Sequence, residues 1–291
     1  MKKIAIIVDS SSGIKNGEFD NVFVLPLAIN ATNKKTKDIK TYHDSVDIDE
    51  VKTTELLENP NIDLSSSQAS MGEIIMQIEK IYDDYDEIYV VPIPSYLSSS
   101  INTWNVVVED YDKVKIATNN TEIAIGIKWC IIDLLNMIKN GKLNEKSFYQ
   151  YFEDIKKKRM GMLFVYDLKH LVKGGRLTNF KSLILKLFRQ KIMIIRDKDG
   201  LNFFKTSSSF LKGYDIFVKE FKKKFPDFDL NKVKRVGIVL CAPYKSDPNI
   251  EECISHMKKS ITSKCKFFND VVPSVIELHT GSKILYLNFE V

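Results

Sequence analysis

The stretch Ile4-Ala5-Ile6-Ile7-Val8-Asp9-Ser10-Ser11-Ser12-Gly13 decides the fold class. Its apolar residues form a continuous run, which is typical of a strand buried on both faces in a parallel sheet. Asp9 and the three serines then end the run with a polar turn. The same order recurs at residues 87–93, where a second apolar run is followed by Pro94-Ser95-Tyr96-Leu97-Ser98-Ser99-Ser100. The repeat predicts an α/β protein whose amino-terminal part is a mostly parallel sheet with helices on both faces.

Further elements follow from the periodicity of the apolar residues. Strands are predicted at residues 22–29, where Pro26 demotes the middle to an edge or a bulge, and at 114–117. Helices are predicted at 49–57, 101–111, 122–139 and 144–159. Ser70 and Glu73 have the spacing of a capping box, and the isoleucines that follow them supply the apolar face of another helix.

Two serine-rich segments each precede a predicted helix. Ser66, Ser67 and Gln68 come before the helix capped by Ser70, and Ser95 and Ser98 come before the helix at 101–111. The loops that follow parallel strands gather at the carboxyl edge of a sheet, where open α/β folds bind their ligands. Helix N-termini at that edge also favour anions. The two segments predict a pocket rim, and ordinary turn hydroxyls are the alternative.

The second half of the chain is organised around residues 168–177, Leu-Lys-His-Leu-Val-Lys-Gly-Gly-Arg-Leu. The leucines and Val172 recur at helical spacing, so we expect Gly174 to end a helix in the left-handed conformation and Gly175 to allow a close approach. Arg176 then either braces an anionic site or is a solvated residue after a helix end. We place a domain boundary between Arg159 and Met162, which gives domains 1–160 and 161–291.

The carboxyl-terminal domain is predicted to be α/β as well. Residues 180–188 are predicted to form a basic amphipathic helix, which either packs on its own sheet or acts as a lid or a membrane-facing surface. Asp199-Gly200 predicts a hairpin between strands at 191–196 and 201–205. Helices follow at 210–225 and 250–261, and strands at 162–166, 233–240 and 284–291. His279 is expected to end an apolar strand that begins at Ser274, either as a ligand contact or as a structural histidine.

Composition limits the class of protein. The 291 residues are 44% hydrophobic and 28% charged, with a net charge of +5, so the chain can bury a substantial core. The basic clusters lie near predicted helix ends and carry no interleaved aromatic residues, which argues against a nucleic-acid surface and leaves attraction to an anionic membrane open. The four cysteines have no metal-ligand spacing, so free thiols and no metal are expected. A signal peptide and transmembrane-length runs are lacking, which predicts a cytoplasmic protein.

Six short motifs, in order along the chain, resemble the DegV family of bacterial fatty-acid-binding proteins. Ile6-Ile7-Val8-Asp9-Ser10 and Val24-Leu25-Pro26-Leu27 are similar to the first two strand motifs of that family. Ser66-Ser67-Gln68-Ala69-Ser70 and Ile93-Pro94-Ser95-Tyr96-Leu97-Ser98 resemble its two serine motifs. The stretch 168–177 resembles its Lys-Gly-Gly-Arg motif, and His279-Thr280-Gly281 matches the start of its histidine motif. Ser282-Lys283 departs from the Pro-Gly of the family.

The resemblance implies a two-domain α/β protein that holds one long-chain fatty acid between its domains and uses no cofactor. It implies that Ser66, Ser95, Ser98, His279 and Arg176 bind the carboxylate. It also implies a supporting role for a set of loop residues: Ser67, Gln68, Gly174, Gly175, Thr280 and Gly281. The partner would be the catalytic subunit of a fatty acid kinase.

An enzyme is the rival hypothesis. A hydrolase could use Ser95 or Ser98 with His279, and the substrate subunit of a small-molecule kinase would use a histidine. The nucleotide-binding, serine-hydrolase and zinc-protease motifs are not found. Since no acidic residue stands at a spacing that would orient His279, the sequence favours a carrier over a catalyst.

Overall fold

A computed structural model describes residues 2–166, 169–175, 191–224, 226, 229–242, 246–261 and 264–291. These residues divide into two compact units, Met1–Ile155 with Pro273–Ile276, and Lys156–Val272 with Glu277–Val291. The division falls shortly before the expected boundary at residue 160. It also assigns a short late segment, Pro273–Ile276, to the first unit. Each unit has its own sheet and its own core.

The first unit contains seven strands and five α-helices among its described residues. The strands are β1 Ile4–Asp9, β2 Val22–Leu25, β3 Ala28–Asn33, β4 Ile39–His43, β5 Ile62–Ser67, β6 Glu87–Val91 and β7 Val114–Ile116. The helices are α1 Glu50–Glu58, α2 Met71–Tyr82, α3 Ser100–Val108, α4 Ile125–Lys139 and α5 Glu145–Lys158, the last of which runs across the division.

The main sheet of the first unit is parallel, as the sequence predicts. Its order is β2-β1-β6-β7, and every neighbouring pair is parallel. Ile6 and Val8 face a core formed with α4 and α5. Ala5 and Ile7 face the opposite side, where α2 and α3 pack. The continuous apolar run of β1 is thus buried on both faces, and the predicted α/β architecture is confirmed.

A second, smaller sheet was not predicted. The strand expected at residues 22–29 is two strands, because the chain leaves the parallel sheet at Leu25 and enters an antiparallel sheet at Ala28. This sheet has the order β4-β3-β5. Pro26 lies between the two strands, where its missing N–H costs no ladder hydrogen bond.

The second unit is built on a six-stranded mixed sheet. Its strands are β8 Arg159–Val165, β9 Lys191–Asp197, β10 Gly200–Ser207, β11 Arg235–Leu240, β12 Lys266–Val271 and β13 Ile284–Glu290, in the order β10-β9-β8-β13-β11-β12. Its helices are α6 Lys169–Lys173, α7 Phe210–Lys224, α8 Pro248–Ser260 and α9 Ser274–Thr280, the last of which runs across the division. The core lies between one face of the sheet and helices α7 and α8.

Several local predictions for this unit can be compared with the structure. The hairpin at Asp199-Gly200 is confirmed, since β9 and β10 are antiparallel and meet there. The strand expected to begin at Met162 begins at Arg159, directly after α5. The strand expected before His279 is wrong, because the segment is the helix α9. The helix expected at residues 180–188 lies outside the described residues.

Candidate functional site

The carboxyl edge of the parallel sheet is held together by Asp9. This side chain is 2% exposed and accepts a hydrogen bond from the Ser11 N–H at 3.0 Å. It also accepts from the Ser11 hydroxyl, and from the N–H of Ile93 at 2.6 Å. Burial raises the pKa of the Asp9 carboxyl above its usual range. Asp9 therefore joins the end of β1 to the loop that follows β6, which is the loop that carries Ser95.

Ser95 lies at an exposed position in a tightly bonded turn. The carbonyl of Pro94 accepts from the N–H groups of Leu97 at 3.0 Å and Ser98 at 3.3 Å. The Ser98 hydroxyl oxygen accepts from the Ser100 N–H at 3.1 Å, so part of its capacity is used within the loop. The Tyr96 hydroxyl donates to the Thr121 carbonyl at 2.8 Å. The turn is fixed on both sides of Ser95, which makes that hydroxyl the better placed of the two to meet a ligand.

The sequence predicts that Ser66 and Ser67 lie in a loop. In the structure they lie at the end of β5. Ser66 pairs with Ile29 and Ser67 with Ala28, the first residues of β3. Because β3 starts directly after β2, these serines lie beside the carboxyl end of the parallel sheet. The backbone there is tied to the turn after β1, since the Leu27 N–H donates to the Ser10 hydroxyl at 3.1 Å. Ser66 and Ser67 thus lie at the predicted edge of the sheet, but in a strand and not in the predicted loop.

Gln68 brings the two serine segments together. Its side-chain amide donates to the Thr103 hydroxyl at 2.6 Å, and Thr103 lies in the first turn of α3, just after the Ser95 loop. The next helix, α2, begins at Met71 with the predicted capping box, in which the Ser70 hydroxyl accepts from the Glu73 N–H at 3.2 Å. Ser70 is thus a helix cap. One edge of the first unit presents Ser66, Ser67 and Ser95.

In the second unit, the glycine motif and the histidine motif pack against each other. A β-carbon placed on Gly174 would lie 2.4 Å from Nδ1 of His279. Conversely, a β-carbon on Gly281 would lie 3.0 Å from Cδ2 of His170. The absence of side chains at both glycines allows the two turns to approach. His279 is half-buried and is positioned by this contact.

The roles expected for the two glycines are exchanged. Gly175, with φ +72°, has the left-handed conformation that ends α6, whereas Gly174 allows the close approach to His279. Gly175 donates its N–H to the Val172 carbonyl at 3.1 Å. The sequence predicts the opposite assignment of these two roles, and that prediction is wrong.

The Thr280 hydroxyl takes part in the turn itself. It is 6% exposed and donates to the carbonyl of Gly281 at 3.2 Å, and Gly281 in turn donates its N–H to the Glu277 carbonyl at 2.7 Å. Gly281 has φ +81°, which favours glycine. Thr280 and Gly281 therefore shape the end of α9, which carries His279. Arg176 lies outside the described residues.

Asp44 is a buried carboxyl group that reasoning from the sequence missed. It is 1% exposed and accepts from the Val275 N–H at 3.3 Å and from the hydroxyls of Ser10 and Ser274. Burial raises its pKa to about 6. The segment Pro273–Ile276 belongs to the first unit, and Asp44 anchors it there. No motif marks Asp44, because its partners are distant in sequence.

Among the described residues, no group of three metal-binding side chains occurs, and no helix is long and apolar enough to cross a membrane. The four cysteines are buried free thiols. Burial raises the pKa of Cys253 to about 12, so this thiol stays protonated at neutral pH.

A sequence model of the DegV family, described as uncharacterised proteins, matches residues 3–289. This chain belongs to the DegV family. Two DegV domain-containing proteins of Mycoplasma genitalium are each 28% identical to this chain. The first match extends over 251 residues and covers 85% of each chain. The second extends over 295 residues and covers 97% of this chain and 96% of that protein. A DegV domain-containing protein of Staphylococcus aureus is 25% identical over 286 residues, 97% of this chain and 96% of that protein.

Solved structures share the fold over nearly the whole chain. A fatty-acid-binding DegV family protein of Thermus thermophilus has a TM-score of 0.82 at 14% identity, over 99% of this chain and 100% of that one. DegV of Bacillus subtilis, a fatty acid binding protein, has a TM-score of 0.79 at 19% identity, over 100% and 99%. The Fatty Acid Kinase B3 protein of Streptococcus pneumoniae, loaded with linoleic acid, has a TM-score of 0.77 at 14% identity, over 99% of both chains.

Proposed function

We propose that this protein binds a long-chain fatty acid and presents its carboxyl group to a fatty acid kinase, without turnover of its own. The observation that carries the proposal is the match of nearly the whole chain to a family whose solved members include fatty-acid-bound proteins. The exposed and half-buried hydroxyls at the edge of the first unit support it independently, because they suit an anionic head group.

The carboxylate is proposed to accept hydrogen bonds from Ser66 and Ser95, with a further donor from His279. A carboxylate taken out of water is costly unless donors satisfy it, and these groups supply three. Ser98 can add its hydroxyl proton, since its contact with the Ser100 N–H uses only its oxygen as an acceptor. The positive end of the α2 dipole favours the anion. Arg176 is kept as a proposed ligand on the strength of the family resemblance alone.

The acyl tail supplies most of the binding energy in this proposal. Burying a methylene group stabilises a complex by about 0.8 kcal/mol, so a 16-carbon tail contributes on the order of 12 kcal/mol before the costs of binding. That gain exceeds what the head group can supply. The head-group contacts therefore set the orientation of the ligand more than its affinity.

Presentation to a kinase explains the choice of hydroxyls as donors. In the proposed step, a carboxylate oxygen attacks the terminal phosphorus of ATP, the bond to the bridging oxygen breaks, and acyl phosphate and ADP leave. A direct lysine pair would hold the oxygen back from attack, whereas serine donors leave it nucleophilic. The site is proposed to function in the cytoplasm, with no nucleic-acid partner and with transient contact to a membrane surface for delivery of the lipid.

The test of the site is a titration of delipidated protein with oleate and palmitate. Ser95→Ala and His279→Ala are each expected to weaken binding about ten- to a hundredfold, since each removes one hydrogen bond to a charged group. Ser99→Ala and His256→Ala are the matched controls. Ser99 is exposed on the same loop, and His256 lies on α8 paired with Asp215. Unchanged affinity in both site variants would contradict the assignment of the site.

The carrier proposal has a separate test. With the catalytic subunit of a fatty acid kinase and ATP, the loaded protein is expected to support formation of acyl phosphate. Protein that has been stripped of lipid is expected to yield no acyl phosphate. Hydrolysis of an acyl ester by this protein alone, lost in Ser95→Ala, would instead support the serine hydrolase and overturn the carrier.

A further inference from the structure

Strand β12 forms one edge of the six-stranded sheet. Within the described ranges it is the last strand in the order, and it pairs with β11 in parallel from Lys266 to Val271. The backbone N–H and C=O groups on its other side point away from β11. Such an edge is a template for pairing with another strand.

The sequence of β12 is Lys-Phe-Phe-Asn-Asp-Val. Side chains alternate along a strand, so Lys266, Phe268 and Asp270 lie on one face of the sheet. Lys266 is exposed and Phe268 is 41% exposed, which places a large aromatic side chain at the sheet edge. Asp270 is half-buried, and its carboxylate accepts from the Val271 N–H at 2.9 Å.

This strand is complementary to itself in one antiparallel register. When two copies meet with Phe268 opposite Phe268, Lys266 of each copy lies opposite Asp270 of the other. The pairing therefore contains one aromatic pair on the two-fold axis and two pairs of opposite charge. Moving the centre to Asn269 leaves neither charge opposite the other. Moving it to Phe267 places Asp270 opposite Lys264, which lies outside β12, so only the register centred on Phe268 pairs both charges within the strand. The arrangement thus selects a register as well as a partner.

A cleft beside the same edge has room for the side chains of an added strand. It has a volume of about 600 Å³ and lies between the sheet and α8. Ile254 and Ser255 of α8 and Asn269 of β12 are among its lining residues. In the register centred on Phe268, Phe267 of the second copy lies opposite Asn269, on the side of the sheet that faces this cleft.

We propose that β12 is a self-association surface, through which two copies of this chain form one continuous sheet by antiparallel pairing of β12 about Phe268. Charged residues on an edge strand ordinarily deter pairing with other strands. In β12, Lys266 lies two residues before the exposed Phe268 and Asp270 lies two residues after it. This arrangement deters pairing with unrelated strands and favours pairing with a second copy. The C2 symmetry is the one most common among homo-oligomers.

Sedimentation of the full chain over a wide range of concentration tests the proposal. Wild-type protein is expected to show a monomer–dimer equilibrium. Lys266→Asp and Asp270→Lys should each weaken dimerisation about tenfold, since each change places like charges opposite each other twice per dimer. The double variant, with both changes, should recover the wild-type dissociation constant. Circular dichroism of each variant checks that the fold is kept.

Cross-linking provides a second readout that charge does not affect. Phe268→Cys should form a disulfide-linked dimer under mild oxidation, because the two residues meet on the axis, whereas Asn269→Cys should not. The native cysteines are buried and do not compete. A strictly monomeric wild type, a dimer that is indifferent to charge reversal, or cross-linking through Asn269→Cys in place of Phe268→Cys would each overturn the proposal.

Discussion

Changing Asp44 to asparagine should remove a defined part of the pH dependence of stability. The Asp44 carboxyl is 1% exposed, and burial raises its pKa to about 6 from the ordinary value of 3.8. Its neighbours are the Val275 N–H and the hydroxyls of Ser10 and Ser274. Asparagine keeps one acceptor oxygen for these donors, and a serine hydroxyl can turn to accept from its amide group. The substitution thus removes the titration with little change in shape.

The magnitude follows from the two pKa values. Above about pH 6 the carboxyl is ionised in both folded and unfolded chains, and the folded state bears the full cost of the buried charge. As the pH falls through this value, the folded state takes up the proton first and gains stability. Between pH 7 and pH 5 the gain amounts to about 1.3 kcal/mol, and it is complete only below the pKa of the unfolded chain. The Asp44→Asn variant cannot make this gain, because an amide takes up no proton in this range.

Urea unfolding at pH 7 and pH 5, followed by tryptophan fluorescence, measures the effect. The chain has 2 tryptophans, and both Trp104 and Trp129 are buried in the first unit, together with Asp44. From pH 7 to pH 5, the unfolding free energy of the wild type should rise by about 1.3 kcal/mol more than that of Asp44→Asn. Asp38→Asn, at an exposed carboxylate in the turn after β3, is the control. The same pH dependence in Asp44→Asn as in wild type would refute the reasoning.

Other substitutions test the remaining contacts. Gly174→Ala should weaken fatty acid binding at least as much as His279→Ala, because its β-carbon would lie 2.4 Å from the His279 ring. Gly72→Ala is the control, since its β-carbon would lie 4.0 Å from its nearest neighbour. Equal binding by both glycine variants would contradict the proposed role of the Gly174–His279 contact. Gly175→Ala should cost about 1–2 kcal/mol of unfolding free energy, because φ is +72° there, and a negligible cost in urea unfolding would count against the left-handed turn. Ser70→Ala should cost about 1 kcal/mol by removing the cap of α2, and unchanged unfolding would show that the cap contributes nothing.

The elements with strong local signals could be predicted from the sequence. The apolar run at Ile4 reads as a buried strand wherever it is placed, and Ser70 with Glu73 defines a helix start without reference to the rest of the chain. The hairpin at Asp199-Gly200 is equally local. In each case the stabilising contacts lie within a few residues, so the pattern contains the answer.

The errors arise where distant contacts decide. The apolar pattern continues across Pro26, and only the pairing of β3 with β5 shows that the chain changes sheet there. Residues 274–278 are too short and too apolar for periodicity to distinguish a strand from α9. Which of the two glycines takes the left-handed turn is decided by His279, far along the chain. Asp44 is marked only by its burial, which no local pattern reports.

The most direct test of the carrier proposal is the lipid content of the protein itself. Protein purified from a bacterial host is to be extracted with organic solvent and the extract analysed by mass spectrometry, beside a parallel intact measurement under native conditions. We expect long-chain fatty acid at up to one acyl chain per protein molecule, replaced on incubation with labelled oleate or palmitate. A protein that yields no fatty acid and takes up neither labelled chain would contradict the proposed function.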